Sequence, residues 1–230
     1  MHLLGVHAII HLTDGAPRNM RDAVENGFPT RESYAAARRR EFLDCLRAGG
    51  IEPDNTVSLG LTDQEAALHM TQLANELAEL VSRFKIDLLF THPYEGGHPD
   101  HDTGAFAVRA ACQLLPDRMQ PQVVEFTSYH DRNGEMETGI FLPNGGSHEI
   151  TIRLGPEARE RKERMLACYR TQQKVLRNFT TAEERFRPAP AYNFTAPPHA
   201  GRLFYERFAA ITPERWLKLA RCAWYELGLE

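Results

Sequence analysis

The chain has 230 residues, 42% apolar, 25% charged and 9% aromatic, a composition that builds one globular core and excludes disorder, coiled coil and collagen. Its 27 Lys+Arg against 31 Asp+Glu leave a net charge of -4, so no global positive field exists for nucleic acid or an anionic membrane surface. A small neutral or polar partner fits better. Cys45, Cys112, Cys168 and Cys222 lie far apart without a C-x-x-C pair, which reads as reduced thiols in a cytoplasmic protein. No apolar run approaches the roughly 20 residues a membrane span needs, and Leu3 to Leu12 lacks the basic lead and cleavage site of a signal peptide.

In chain order, Val6 to Leu12 has the length of a strand, and Thr13 to Asn19 is expected to turn the chain away from it. Arg31 to Ala48 has helical spacing, with Tyr34, Phe42, Cys45 and Leu46 on one side and Gly49-Gly50 as the stop. Val57 to Leu59 is a short strand. Gln64 to Phe84 reads as one long amphipathic helix, and Ile86 to Thr91 as the next strand. Thr103 to Leu115 is a helix ended by Pro116; Val123 to Tyr129 and Glu149 to Leu154 are strands, with a Gly-rich excursion between them. Pro156 to Phe179 is a further helix. Alternation of strands with long helices implies a doubly wound, Rossmann-like α/β sheet, mostly parallel, in a single domain over 1–230. Residues 180–230 change character. Arg185 to Gly201 carries four prolines among Phe186, Tyr192 and Phe194, as an irregular segment that either packs on the sheet or walls a pocket, and Pro213 opens a closing helix.

One loop concentrates chemistry: His92-Pro93-Tyr94-Glu95-Gly96-Gly97-His98-Pro99-Asp100-His101-Asp102 holds three of the ten histidines. It follows a parallel strand and precedes a helix, the position at which open α/β sheets bind ligands. His98 and His101, three apart across a proline, can face one cleft, and Asp100 can accept a hydrogen bond from an imidazole and fix its tautomer. Such a cluster supplies one metal ligand and one acid/base imidazole, whereas a hydrolytic zinc needs three protein ligands and a water. The bland alternative is a helix-entry turn with Asp100 as capping acceptor; the density of histidines favours a functional site.

Thr91-His92-Pro93, Gly97-His98-Pro99-Asp100-His101, Leu12-Thr13-Asp14-Gly15-Ala16-Pro17, Arg38 with Glu41, Leu59-Gly60 with Asp63, and Thr171-Gln172 together resemble the PIG-L/LmbE-like zinc-dependent de-N-acetylases. The resemblance implies that His101 is a zinc ligand, that His98 stabilises the tetrahedral oxyanion or acts as acid, and that Asp100 tunes it. It further implies a metal-dependent hydrolase that removes an N-acetyl group from an amino-sugar-like small molecule or glycoconjugate. One departure is large. Family members begin with a strand ending in an A-H-P-D-D-E type motif that supplies two zinc ligands and the general base, and this sequence has none. Two of the three ligands expected for Zn are therefore missing, and the chain starts at what looks like the second strand. The expectation is either a protein that begins upstream of Met1 or an inactive remnant that binds sugar or a partner.

Three further residues stand as substrate-binding candidates, each with an ordinary reading beside it. Arg38 could approach substrate or pair with Glu41, Asp14 could sit at the ligand edge or form an Asp-Gly turn, and Tyr94 could bind substrate or pack. With the first strand absent, Val6 to Leu12 and Ile86 to Thr91 should pair with each other, accept a partner chain, or leave the isolated chain poorly folded, so a homo-oligomer stays open.

Overall fold

The computed structural model describes residues 8–52, 54, 56–143, 146 and 148–229. Val6 and His7, where the first strand is expected to begin, lie outside the described residues. The chain divides into two compact units: residues 1–63 with 152–184, and residues 64–151 with 185–230.

In the first unit, β1 (Ile9–Pro17) runs parallel to β2 (Thr56–Asp63), with Ile9 opposite Thr56 and Pro17 opposite Asp63. The short α1 (Arg21–Glu25) and the long α2 (Arg31–Gly49) form the connection. The turn expected at Thr13 to Pro17 is instead strand. The ladder shifts register twice there, and Asp14 bridges the irregularity by accepting the backbone N–H of Ala16 at 3.0 Å and of Asp63 at 3.3 Å. A side chain thus replaces ladder bonds that an Asp-Gly sequence would otherwise forfeit. Helix α2 starts at a capping box between Thr30 and Ser33 and stops at Gly50, whose φ of 73° is the left-handed cap the Gly-Gly pair promised.

Against α2 packs α5 (Pro156–Ala167). The single helix expected through Phe179 ends there. The 3-10 turn Arg170–Gln172 and the one-turn α6 (Gln173–Leu176) follow, because Glu41 of α2 takes both the backbone N–H of Thr171 (2.9 Å) and its hydroxyl (2.7 Å). The Gln173 amide also donates to the carbonyls of Leu166 and Tyr169 at 2.9 Å, capping what α5 leaves open.

The second unit begins at a 3-10 turn, Ala66–His69, that leads into α3 (Met70–Phe84), so the helix expected from Gln64 starts later. Next, β3 (Leu88–Thr91), α4 (Pro99–Leu114) and β4 (Gln122–Phe126) make a parallel β-α-β unit in which Leu88 faces Gln122 and Thr91 faces Glu125. Asn133-Gly134, both at positive φ, turn the hairpin of β5 (Tyr129–Arg132) and β6 (Glu135–Thr138), where only a Gly-rich excursion was expected. The order of the larger sheet is β3-β4-β8-β7, with β7 at Ile150–Arg153 and β8 at Glu183–Pro188. Strand β8 is antiparallel to β4, so the start of the segment expected to be irregular is sheet.

The fold is therefore α/β with parallel β-α-β segments, as the alternation of elements implied, together with antiparallel pairs at β4–β8 and β5–β6. Among the described residues Ile9 pairs with Thr56 and Leu89 with Val123, each strand joined to the partner its own helical crossover delivers, so direct pairing of the first strand with Ile86 to Thr91, one of the alternatives expected, is not seen there. The core of the second unit gathers Tyr94, Phe106, Phe194 and Trp216 with α3, α4 and the closing helix α7 (Pro213–Glu226). Among the described residues no helix is long and apolar enough to cross a membrane.

Candidate active site

The His98-Pro99-Asp100-His101 motif is the entrance of α4, four residues earlier than hydrophobic spacing suggested. His98 is the N-cap, and Pro99 occupies the first turn, where its missing N–H costs nothing. Asp102 folds the preceding glycines back onto this turn, its Oδ1 accepting from Glu95 N–H (3.2 Å) and Gly96 N–H (3.0 Å). From α7, the buried Trp216 indole donates to the carbonyl of Pro99 (3.3 Å) and to the hydroxyl of Thr103 (3.1 Å), fixing the turn from below. Gly97 is obligatory: a Cβ there would stand 1.9 Å from the carbonyl oxygen of Tyr129.

Three imidazoles converge. The His92 and His101 rings stack at 3.9 Å between centroids, and His98 and His101 lie 5.0 Å apart. Phe208 covers His98, while Tyr129 meets the edge of His101. His101 Nδ1 is 3.2 Å from Ser128 Oγ, at the C-terminal end of β4. Burial, and then the neighbouring imidazoles, push the His92 pKa down to about 4 and the His101 pKa well below the usual imidazole range, so both are neutral at pH 7.

His98 Nδ1 accepts the backbone N–H of Asp100 at 3.2 Å, so a neutral His98 must carry its proton on Nε2. That is a hydrogen-bond donor at a helix N-terminus, where the backbone dipole favours developing negative charge. The Asp100 carboxylate, expected to fix this tautomer, lies 3.9 Å from Nδ1, and its oxygens accept from Gln64 N–H (2.7 Å) and Ala66 N–H (3.1 Å), while the Asp100 backbone N–H is the donor to the ring.

Of the other candidates, Tyr94 is buried among Tyr192, Phe194 and Trp216, with its hydroxyl donated to the carbonyl of Ala196 (3.0 Å). Of its two readings, packing is the one the geometry uses. Asp14 and Arg38 belong to the first unit. Asp14 is ion-paired with Arg31 besides its two backbone bonds. Arg38 is paired with Glu41 at 3.0 Å, lies over the Tyr169 ring and abuts Gly15. Sequence reasoning passed over Ser128, Tyr129, Phe208 and Trp216. Only Ser128-Tyr129 carried a signal, its place at the end of a parallel strand.

Residues 5–112 match the family model of PIG-L, described as GlcNAc-PI de-N-acetylase. Over this part the chain is similar to the PIG-L family. The PIG-L segment contains the whole histidine motif, whereas Ser128, Tyr129 and Phe208 come from beyond it. Among solved structures, the A40926 pseudoaglycone deacetylase Dbv21 superposes with a TM-score of 0.62 at 17% identity, covering 84% of this chain and 88% of that one. A deacetylase of the teicoplanin biosynthesis pathway gives 0.60 at 15% identity, with 79% and 85% covered. A triple mutant of a teicoplanin-pathway deacetylase gives 0.59 at 17% identity, with 79% and 84% covered. At these identities the likeness establishes the fold. A search of curated proteins finds no match.

Proposed function

We propose that the protein is a PIG-L family N-deacetylase that hydrolyses the acetamide of an N-acetylated amino sugar or glycoconjugate. The observation that carries this reading is the orientation of His98, which presents Nε2–H from the N-terminus of α4 beside the buried neutral His101. An oxyanion formed at an attacked acetamide carbon would find a preorganised donor there. The likeness of residues 5–112 to the PIG-L family model, and of the fold to deacetylases of known structure, favours an amide hydrolase.

Zinc is the metal the resemblance implies, and it would supply Lewis-acid polarisation and an activated water. Among the described residues of the second unit, no three side chains bring ligand atoms together around one zinc position. His101 offers one imidazole, the Asp100 carboxylate is engaged by two backbone N–H groups, and the His92 ring is stacked on His101 with planes 10° apart, so one ion cannot lie in both ring planes. The same observation favours a second reading, an inactive sugar-binding or interaction protein that keeps the pocket.

Acetate release from an N-acetylglucosamine glycoconjugate, measured with and without added zinc, separates the two. The deacetylase reading expects turnover that His98→Ala lowers roughly a hundredfold, as for loss of one oxyanion donor. Absence of turnover together with saturable sugar binding would establish the second.

A further inference from the structure

The second unit holds a surface groove of about 530 Å³ between the β5–β6 hairpin and the chain at 199–207. Asp131 and Arg132 line it from the hairpin, and Arg202 and Arg207 from the facing segment. Guanidinium groups gathered around one space repel one another unless anions offset them, so the charge balance decides what the groove accepts.

Two carboxylates answer the three arginines. Arg207 is ion-paired with Asp131, whose other oxygen accepts the Gly134 N–H at 2.9 Å, and its guanidinium lies over the Phe204 ring at 4.8 Å. Arg132 meets Glu137 through Nη1 at 2.6 Å, yet its side chain stays 62% exposed, which leaves Nε and Nη2 for another acceptor. Arg202 is exposed, donates to the carbonyl of Glu206 at 3.3 Å, and has no carboxylate partner among the described residues. One positive charge is therefore left over, on groups that a dissolved ligand can reach.

We propose that this groove binds the phosphate of a small phosphorylated sugar or polyol. Guanidinium groups arriving from two chain segments suit a tetrahedral phosphate, whose three terminal oxygens face several directions, better than a planar carboxylate, which a single fork satisfies. The remaining volume has room for a ring. Ala200 is the sole aliphatic side chain among the described residues of the lining, so the groove fits hydroxyl groups and not an acyl chain. This site is independent of the deacetylase reading, because none of its groups is His92, His98 or His101.

The test is calorimetric titration of the full chain at about 0.15 M salt, where attraction to scattered surface charges is screened. Glucose 6-phosphate should bind at a single site with a dissociation constant on the order of 1 mM. Glucuronate and inorganic phosphate should each bind roughly tenfold more weakly, the first for want of a third oxygen and the second for want of the ring. Arg202→Ala, at an exposed position, should weaken glucose 6-phosphate roughly tenfold, as for loss of a charge-assisted hydrogen bond, while Arg221→Ala on the exposed side of α7 should leave it unchanged. Wild-type protein without saturable glucose 6-phosphate binding would overturn the proposal, as would an Arg202→Ala protein that binds as well as the wild type. Equal weakening by Arg202→Ala and Arg221→Ala would overturn it in favour of diffuse charge attraction. Glucuronate or inorganic phosphate binding as tightly as the ester would overturn the choice of ligand.

Discussion

Asp100 shows how a residue in a chemically suggestive motif can act through its backbone and its side chain in different directions. Its N–H fixes the His98 tautomer while its carboxylate gathers Gln64 and Ala66. Asp100→Asn puts an NH2 group where one of those donors points, and hydrogen bonds to a charged acceptor contribute about 1.5–3 kcal/mol each. We expect a loss of roughly 2 kcal/mol in urea unfolding, with the His98 Nε2–H tautomer retained in the NMR spectrum; loss of that tautomer would restore a direct role for the carboxylate. Gly97→Ala is expected to be more severe, since the collision is with the backbone of Tyr129 and no rotamer relieves it. Circular dichroism and acetate release should both report the damage. A Gly97→Ala protein with unchanged stability would show that β5 can yield.

At the scale of elements, the sequence was most legible where local chemistry and packing agree. Thr30, Ser33 and Gly50 mark both ends of α2 by capping alone, and Thr30→Ala should cost about 1 kcal/mol in thermal or urea unfolding. It was least legible where a distant side chain decides. Nothing local to Thr171 says that Glu41 will stop a helix there, and nothing local to Asp14 says that its carboxylate will carry a strand through an Asp-Gly pair. The hairpin at Asn133-Gly134 is a different kind of miss, because that dipeptide is a turn signal in its own right. Strand β8 was hidden by its charges and its closing proline, Pro188. Arg187 lies in it, buried between Glu95 and Glu125 and over the face of Phe141. Removing one partner from such a group strands the others, so Arg187→Met should cost about 3–5 kcal/mol in urea unfolding. A double variant that also carries Glu125→Gln should recover part of that loss, and an additive result would show that the two residues are not coupled.

For the whole molecule, the histidine loop could be singled out as a candidate site because a ligand-binding position in α/β folds is a property of topology, and the β-α-β order is written in the hydrophobic pattern. The role of each carboxylate could not be, because it depends on which backbone donors three-dimensional packing brings near. Those buried carboxylates also set the response to pH. Burial pushes the Glu95 pKa up to about 8 and the Glu125 pKa to about 6 from an ordinary 4.5, with the N–H of Leu142 and the Arg187 guanidinium only partly opposing the rise at Glu95. A group whose folded pKa is raised contributes stability that is complete below its unfolded pKa and is lost as pH climbs through the folded value. Stability should therefore fall from about pH 4.5 upward, through about 6 for Glu125 and about 8 for Glu95. The buried His92 works in the opposite sense, since its lowered pKa contributes stability above about 6.5 that is lost as pH drops toward 4. The two windows overlap and partly cancel in the wild-type chain, so the carboxylate arm is best isolated by a variant. Glu95→Gln keeps an oxygen for the N–H of Leu142 and cannot ionise. Its urea midpoint, measured from about pH 5 to about pH 9, should fall less steeply with rising pH than that of the wild type, the curves diverging most near pH 8. Parallel curves would mean that Glu95 is already ionised throughout and that Arg187 alone stabilises its charge.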